Sequence, residues 1–312
     1  MFSLVFPGQG SQSVGMLQDW AAQVPEVLDT FAQASEILNY DLWALIQAGP
    51  DTQLNQTEFT QPALLVAGVA LYRVFKRQAT AVPRYLAGHS LGEYTALVCA
   101  EALAFEAAVK LVQMRGRFMQ AAVPVGQGAM AAIVGLMAPE VDKICQQIAT
   151  PENNVASANY NADGQVVVAG HVQAVEAVIA AANAQGAKIA KKLIMSVPSH
   201  CQLMKPAATA LAAYLENVTV KTPILPVIHN VDVAEHATPD SIKQALVAQL
   251  YQPVRWTETI AKMTILGVKK QIECGPGKVL TGLSKRIMPG PDVALSLSSS
   301  EAFQTVLNEV NR

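Results

Sequence analysis

The segment Tyr85-Leu86-Ala87-Gly88-His89-Ser90-Leu91-Gly92-Glu93-Tyr94-Thr95-Ala96-Leu97-Val98 constrains the fold more than any other in the chain. Its first, apolar residues read as a buried strand and the run after Gly92 reads as a helix, so Ser90 falls where a strand turns sharply into a helix. Flanking glycines permit that bend, which lifts the serine oxygen out of the fold and points the first helical amide at whatever that oxygen attacks. This is the geometry of a nucleophile elbow. A tight turn with a capping serine would leave the same string, so the partners available to Ser90 decide between the two readings.

A chain of 312 residues that is 51% hydrophobic can bury the core of one large domain with an insertion, or of two domains. With a net charge of −2 and 15% charged residues it carries no global basic field, so no nucleic-acid partner is expected. Cys99, Cys145, Cys201 and Cys274 are scattered without a C-x-x-C pair, which argues against zinc and against a disulfide framework and fits a reducing cytoplasm. The opening Met1-Phe2-Ser3-Leu4-Val5-Phe6-Pro7 lacks a basic n-region, and no later run reaches membrane length, so neither secretion nor a membrane association is expected. In the loop Pro7-Gly8-Gln9-Gly10-Ser11-Gln12, Ser13 stands where a dinucleotide fingerprint needs its third glycine and no Lys-Ser/Thr pair follows. No bound cofactor is therefore expected.

Strands and helices alternate from Phe2 to Phe6 through helical stretches at Leu28 to Leu38 and Pro62 to Lys76, which suggests a parallel sheet covered on both faces. A composition break at Gly126-Gln127-Gly128 follows the helical Ala102 to Val123. From there the order is strand (Ala129 to Val134), helix (Pro139 to Ile148), strand (Val155 to Tyr160), strand (Gln165 to Ala169), helix (Val172 to Ala184) and strand (Ala187 to Leu193). That β-α-β-β-α-β order is ferredoxin-like. It places a small α+β subdomain at about 126–196 inside an α/β body formed by 1–125 and 197–312, with a further core strand expected at Thr222 to Ile228.

A serine nucleophile needs a base, and five histidines are available. His89 adjoins the nucleophile and should point elsewhere as a structural group; His171 precedes a helix; His236 lies in a polar stretch; His229 has no evident role. His200 has the better context, because Ser199 and Gln202 form a capping-box pattern ahead of a helix-like run to Leu215. In a first helical turn the dipole would keep His200 neutral and able to accept a proton. No acid identifies itself as its orienting partner.

The helical run Phe105 to Val123 carries two arginines. Steps of three, four and seven from Arg115 reach Ala108, Leu111, Val112, Phe118, Met119 and Ala122, an apolar stripe, whereas those from Arg117 reach Lys110, Gln113, Met114, Gln120, Ala121 and Pro124, a more polar face. Arg117 is expected in solvent and Arg115 inside, where its charge must meet either a buried Asp or Glu or a ligand carboxylate. Beside a serine nucleophile, a guanidinium fork suits an acyl group with a free carboxylate, and Met119 would then line the acyl pocket.

Phe6-Pro7-Gly8-Gln9-Gly10-Ser11-Gln12, Gly88-His89-Ser90-Leu91-Gly92-Glu93-Tyr94, Met114-Arg115-Gly116, Val197-Pro198-Ser199-His200 and Gly275-Pro276-Gly277-Lys278-Val279-Leu280 together resemble one family across essentially the whole chain. That family is the free-standing malonyl-CoA:acyl carrier protein transacylases of fatty-acid synthesis. The resemblance implies a hydrolase-like α/β body with a ferredoxin-like insertion, and transfer of a malonyl group from malonyl-CoA to the pantetheine thiol of acyl carrier protein. It implies Ser90 as nucleophile, His200 as base, Arg115 as clamp on the malonyl carboxylate, Gln9 and Leu91 as oxyanion amides, and Gln249 as the residue whose backbone carbonyl orients His200. The carriers of this family are acidic, which makes Lys188, Lys191 and Lys192, or Lys285 and Arg286, candidate docking groups. Many relatives carry an aromatic residue directly before the histidine, where this chain has Ser199, and that difference bears on branched acyl units. A serine thioesterase or esterase would use the same pair, and a non-catalytic acyl-CoA or carrier-binding module could share the scaffold.

Overall fold

In a computed structural model that describes residues 1–194, 197–288 and 294–311, the chain builds two separate sheets. The strands in chain order are β1 (Phe2–Phe6), β2 (Tyr85–Gly88), β3 (Gly128–Val134), β4 (Val155–Ala162), β5 (Gln165–His171), β6 (Ile189–Lys192), β7 (Val227–Ile228), β8 (Lys270–Glu273) and β9 (Ala294–Ser296). The first sheet is parallel with order β7-β2-β1-β8-β9. β1 and β2 are buried at every position, because helices cover both faces of a parallel sheet; their sequences are apolar runs without alternation for that reason.

On one side of this sheet lies a large apolar cluster built on the helix Thr57–Gln78, whose residues are buried on nearly all sides. On the other side Val5, Ala87 and Ile228 pack with Trp256, Ile260 and Met263 of the helix Trp256–Ile265. The helix Phe105–Ala122 crosses Thr57–Gln78 closely at Gly116, where a Cβ would stand 2.7 Å from the Glu58 Cα. Only glycine permits that approach, and it brings Arg115 onto the flank of the central helix.

The second sheet is antiparallel with order β4-β5-β3-β6. Joined by helices Ala138–Ile148 and Val172–Ala184 on one face, it has the ferredoxin-like connectivity that the element order predicts. Its other face places Met130, Ala158, Val167 and Ala169 against Cys201 of the larger body. The Val254 N–H donates to the Ala158 carbonyl and its own carbonyl accepts from the Tyr160 N–H, both at 2.9 Å, tying the small sheet to the body. The expected small segment, 126–196, ends on two residues that lie outside those described.

One expectation changes. The strand expected at Thr222 to Ile228 is confined to Val227–Ile228, since Pro223 and Pro226 bring no N–H to a ladder. β8 and β9 are short and carry no strong alternation in sequence, yet they complete the parallel sheet. Among the described residues, no helix is long and apolar enough to cross a membrane, no grouping of three or more His, Cys, Asp or Glu could hold a metal ion, and Cys99, Cys145, Cys201 and Cys274 are buried free thiols.

Candidate active site

The elbow is built as its glycines require. Ser90 has φ 52, between β2 and the helix Gly92–Cys99. A Cβ on Gly88 would lie 1.8 Å from the Gly92 carbonyl carbon, and one on Gly92 would lie 2.0 Å from the Phe6 oxygen. Both positions are closed to any side chain. Asn230, just past β7, clips the bend: its Oδ1 accepts from the Ser90 N–H at 2.8 Å and its Nδ2 donates to the Gly88 carbonyl at 2.7 Å.

His200 lies beside Ser90, with Nε2 2.8 Å from the Ser90 Oγ and Nδ1 2.7 Å from the Gln249 carbonyl oxygen. A carbonyl can only accept, so Nδ1 carries the proton, Nε2 presents its lone pair, and the serine hydroxyl donates to it. This is the arrangement of a serine and its general base, oriented by a backbone carbonyl rather than a carboxylate.

His200 does not sit in a first helical turn, as the capping-box pattern suggested. It adopts a left-handed conformation, φ 62, ahead of a 3-10 turn at Gln202–Met204, and the α-helix begins only at Lys205. Ser199 makes no side-chain cap there. Burial holds the imidazole neutral, with the Arg115 charge adding to the effect, and together they lower its pKa from the ordinary 6.5 to about 3.

Arg115 is 1% exposed. Its Nη1 donates to Gln61 Oε1 at 2.8 Å, and its Nη2 donates to Gln249 Oε1 at 2.9 Å and approaches the Ser90 Oγ at 3.4 Å. The guanidinium carbon stands 5.3 Å from the centre of the Tyr94 ring. Among the described residues no carboxylate forms an ion pair with it, and its Nε has no hydrogen-bond partner. Arg117, two residues on, is half exposed and paired with Glu58 at 2.9 Å, as the helical spacing predicts. A buried guanidinium hydrogen-bonded to neutral amides and a hydroxyl can receive an anion, since leaving such a charge unpaired costs on the order of 3–5 kcal/mol.

A narrow pocket joins these groups, lined by Gln9, His89, Ser90, Leu91, Arg115 and His200, with Met119 and Gln61 behind and Met130, Asn159 and Ser199 completing the wall. Gln9 and Leu91 lie outside helices and strands, and among the described residues no acceptor is paired with the backbone N–H of either. The Gln9 side chain is held 3.4 Å from the Thr57 Oγ1. Ser90, His200, Arg115 and Met119, which the residue pattern singles out, and Gln9 and Leu91, which the family resemblance adds, all line this pocket; Gln249, also from the resemblance, contacts His200 through its backbone and Arg115 through its side chain.

Other residues were missed. His89 is half-buried on the pocket wall, donating from Nε2 to Asn161 Oδ1 at 2.8 Å and resting 5.4 Å from the Trp256 ring, and burial lowers its pKa. His171 accepts from the Asn154 N–H, and His236, in its polar stretch, is partly covered and meets the buried His229 ring edge to face at 4.9 Å. Gln61 and Asn230 carry no sequence signal and Glu93 stands in the elbow motif without a role, because what they do exists only through contacts across the fold.

Residues 3–286 match the acyl transferase domain family, and the chain belongs to it. It is 57% identical over 288 residues to the malonyl CoA-acyl carrier protein transacylase of Escherichia coli K12, covering 92% of this chain and 93% of that one. The fold superposes with a TM-score of 0.97 on the malonyl CoA-acyl carrier protein transacylase of Coxiella burnetii, at 50% identity over 100% of this chain and 98% of that one. It superposes with a TM-score of 0.95, also at 50% identity and over 99% of each chain, on a malonyl-transacylase in complex with its type II PKS acyl-carrier protein.

Proposed function

We propose that this chain is a malonyl-CoA:acyl carrier protein transacylase of fatty-acid biosynthesis, acting through a malonyl-serine intermediate. The observation that carries this reading is the buried Arg115, which has no ion-pair partner among the described residues and stands 3.4 Å from the Ser90 Oγ. A carboxylated acyl group supplies the missing anion, and an uncharged acyl group does not.

Ser90 Oγ attacks the malonyl thioester carbonyl as His200 Nε2 takes its proton. The backbone N–H groups of Gln9 and Leu91 stabilise the oxyanion that forms. The carbon–sulfur bond breaks, coenzyme A leaves as its thiol with the proton from His200, and the malonyl ester stays on Ser90 with its carboxylate on Arg115. The pantetheine thiol of the carrier then gives its proton to His200 as its sulfur attacks the ester, and Ser90 leaves with that proton. The enzyme needs no cofactor for these steps, since coenzyme A enters only as part of the substrate. Both partners are metabolites and proteins of the cytoplasm, where we place the chain, and nothing in its charge or hydropathy calls for nucleic acid or membrane.

We divide the chain into a body of 1–125 and 197–312 and a small ferredoxin-like subdomain of 126–196, whose β3 contributes Met130 to the pocket. The acidic carrier docks on the edge strand β6. Lys188, Lys191 and Lys192 are exposed there, and Lys192 lies opposite Ala131, next to Met130. Lys285 and Arg286 form the second candidate surface; Arg286 donates to Gln165 at 2.6 Å there, as Lys192 on the first faces Glu176 at 3.8 Å.

Mixing the protein with malonyl-CoA and carrier protein tests the reaction. Malonyl-carrier is the expected product, and release of free malonate without malonyl-carrier would identify a thioesterase.

A further inference from the structure

Glu93 is a fully buried carboxylate three residues beyond the nucleophile. Three donors converge on it: His229 Nδ1 at 2.8 Å, the Asn230 N–H at 2.9 Å and Gln249 Nε2 at 3.0 Å. These contacts decide how the Gln249 amide must lie. Its Nε2 also donates to the Ser90 carbonyl at 2.9 Å, and neither that oxygen nor the carboxylate has a proton to offer in return. The Gln249 Oε1 is thereby turned toward Arg115, whose Nη2 donates to it at 2.9 Å. Reversing the amide would set its NH2 against the guanidinium and its oxygen against the carboxylate.

We propose that Glu93 is the positioning residue for malonyl selectivity. It locks the Gln249 amide, and the amide holds the Arg115 fork at Ser90. Its negative charge, one amide removed from Arg115, favours the charged guanidinium without occupying it, which leaves the fork open for the acyl carboxylate. His229, which had no role in the sequence, supports this carboxylate from the far side. The same carboxylate braces Asn230, which clips the elbow, so one buried group serves both the nucleophile and the clamp. The inference rests on Arg115 being the malonyl clamp.

The test is the rate of Ser90 loading from malonyl-CoA and from acetyl-CoA, read by intact mass, in wild type, Glu93→Gln and Glu93→Asp, with a thermal midpoint for each. Glu93→Gln keeps the shape and removes the charge: its oxygen can still accept from the Asn230 N–H and Gln249 Nε2, while its NH2 faces His229 Nδ1, which must take the other tautomer. Malonyl loading is expected to fall about tenfold, as for loss of a charged hydrogen bond, while acetyl loading falls by much less. Glu93→Asp keeps the charge farther from Gln249 and should give a malonyl-to-acetyl ratio between the two, carrying the test alone if Glu93→Gln does not fold. Equal losses for both acyl groups overturn the proposal, as does an unchanged ratio or failure of both variants to fold. A wild type that shows no preference for malonyl would instead overturn the clamp reading itself.

Discussion

At the scale of single residues, the site depends on two side chains whose burial sets their chemistry. Arg115 is the selectivity element we propose, and Arg115→Ala is expected to slow malonyl transfer roughly 100-fold or more, equivalent to about 3 kcal/mol of charge-assisted contact, while acetyl transfer is kept or gained. Parallel kcat/KM measurements with both thioesters check this; equal loss would make the arginine structural. His200 titrates well below its ordinary 6.5, at about 3, because of burial and the neighbouring Arg115 charge. The acid limb of kcat/KM should therefore lie below pH 6.5, since the free enzyme keeps a neutral base through that range. Removing the Arg115 charge relieves one cause, so the limb for acetyl transfer in Arg115→Ala should move to higher pH; a limb that stays in place contradicts the assigned electrostatics. The folded state binds fewer protons at His200 than the unfolded state between about 3 and 6.5. Stability from this group is thus present above pH 6.5 and lost as pH falls toward 3, and urea titrations of wild type and His200→Gln across that range should diverge in that sense.

At the scale of elements, some of the site was legible and some was not. The elbow and the inward face of the helix Phe105–Ala122 were readable because their information is local: glycines two residues from the serine, and apolar residues at helical spacing from Arg115. The ferredoxin-like order was readable because each strand and helix announces its own period. The left-handed turn at His200 was not, because Ser199 and Gln202 imitate a helix start and only the docking of His200 on the Gln249 carbonyl forces φ positive. Gln61, Asn230 and the side chain of Gln249 escaped for a different reason. Each acts on a partner 54 to 159 residues away, and no periodic pattern encodes such a pairing. The helix crossing at Gly116 sets where Gln61 meets Arg115, so Gly116→Ala pushes a methyl against the Glu58 backbone. A loss of about 1–3 kcal/mol is expected from this overpacking, read as a lower urea midpoint, with a raised KM for malonyl-CoA. An unchanged midpoint would mean that the helices part without penalty.

At the scale of the whole molecule, the pocket lies between the parallel-sheet body, which supplies Ser90, His200 and Arg115, and the small antiparallel sheet, which supplies Met130 and Asn159. The net charge of −2 gives no global attraction for an acidic carrier, so docking must depend on local charge such as that of β6. Reversing Lys191 and Lys192 to glutamate should raise the KM for carrier about tenfold at low salt and by less at high salt, whereas loading of Ser90 from malonyl-CoA is affected far less. Steady-state transfer at two ionic strengths checks it, with Lys285→Glu/Arg286→Glu as the competing surface. The central claim is that Ser90 carries the malonyl group between two thiols. Intact mass and peptide mapping after brief exposure to malonyl-CoA should show one malonyl group on Ser90, absent in Ser90→Ala and moved to the carrier thiol when carrier is added; an unmodified wild-type chain that still forms malonyl-carrier would contradict it.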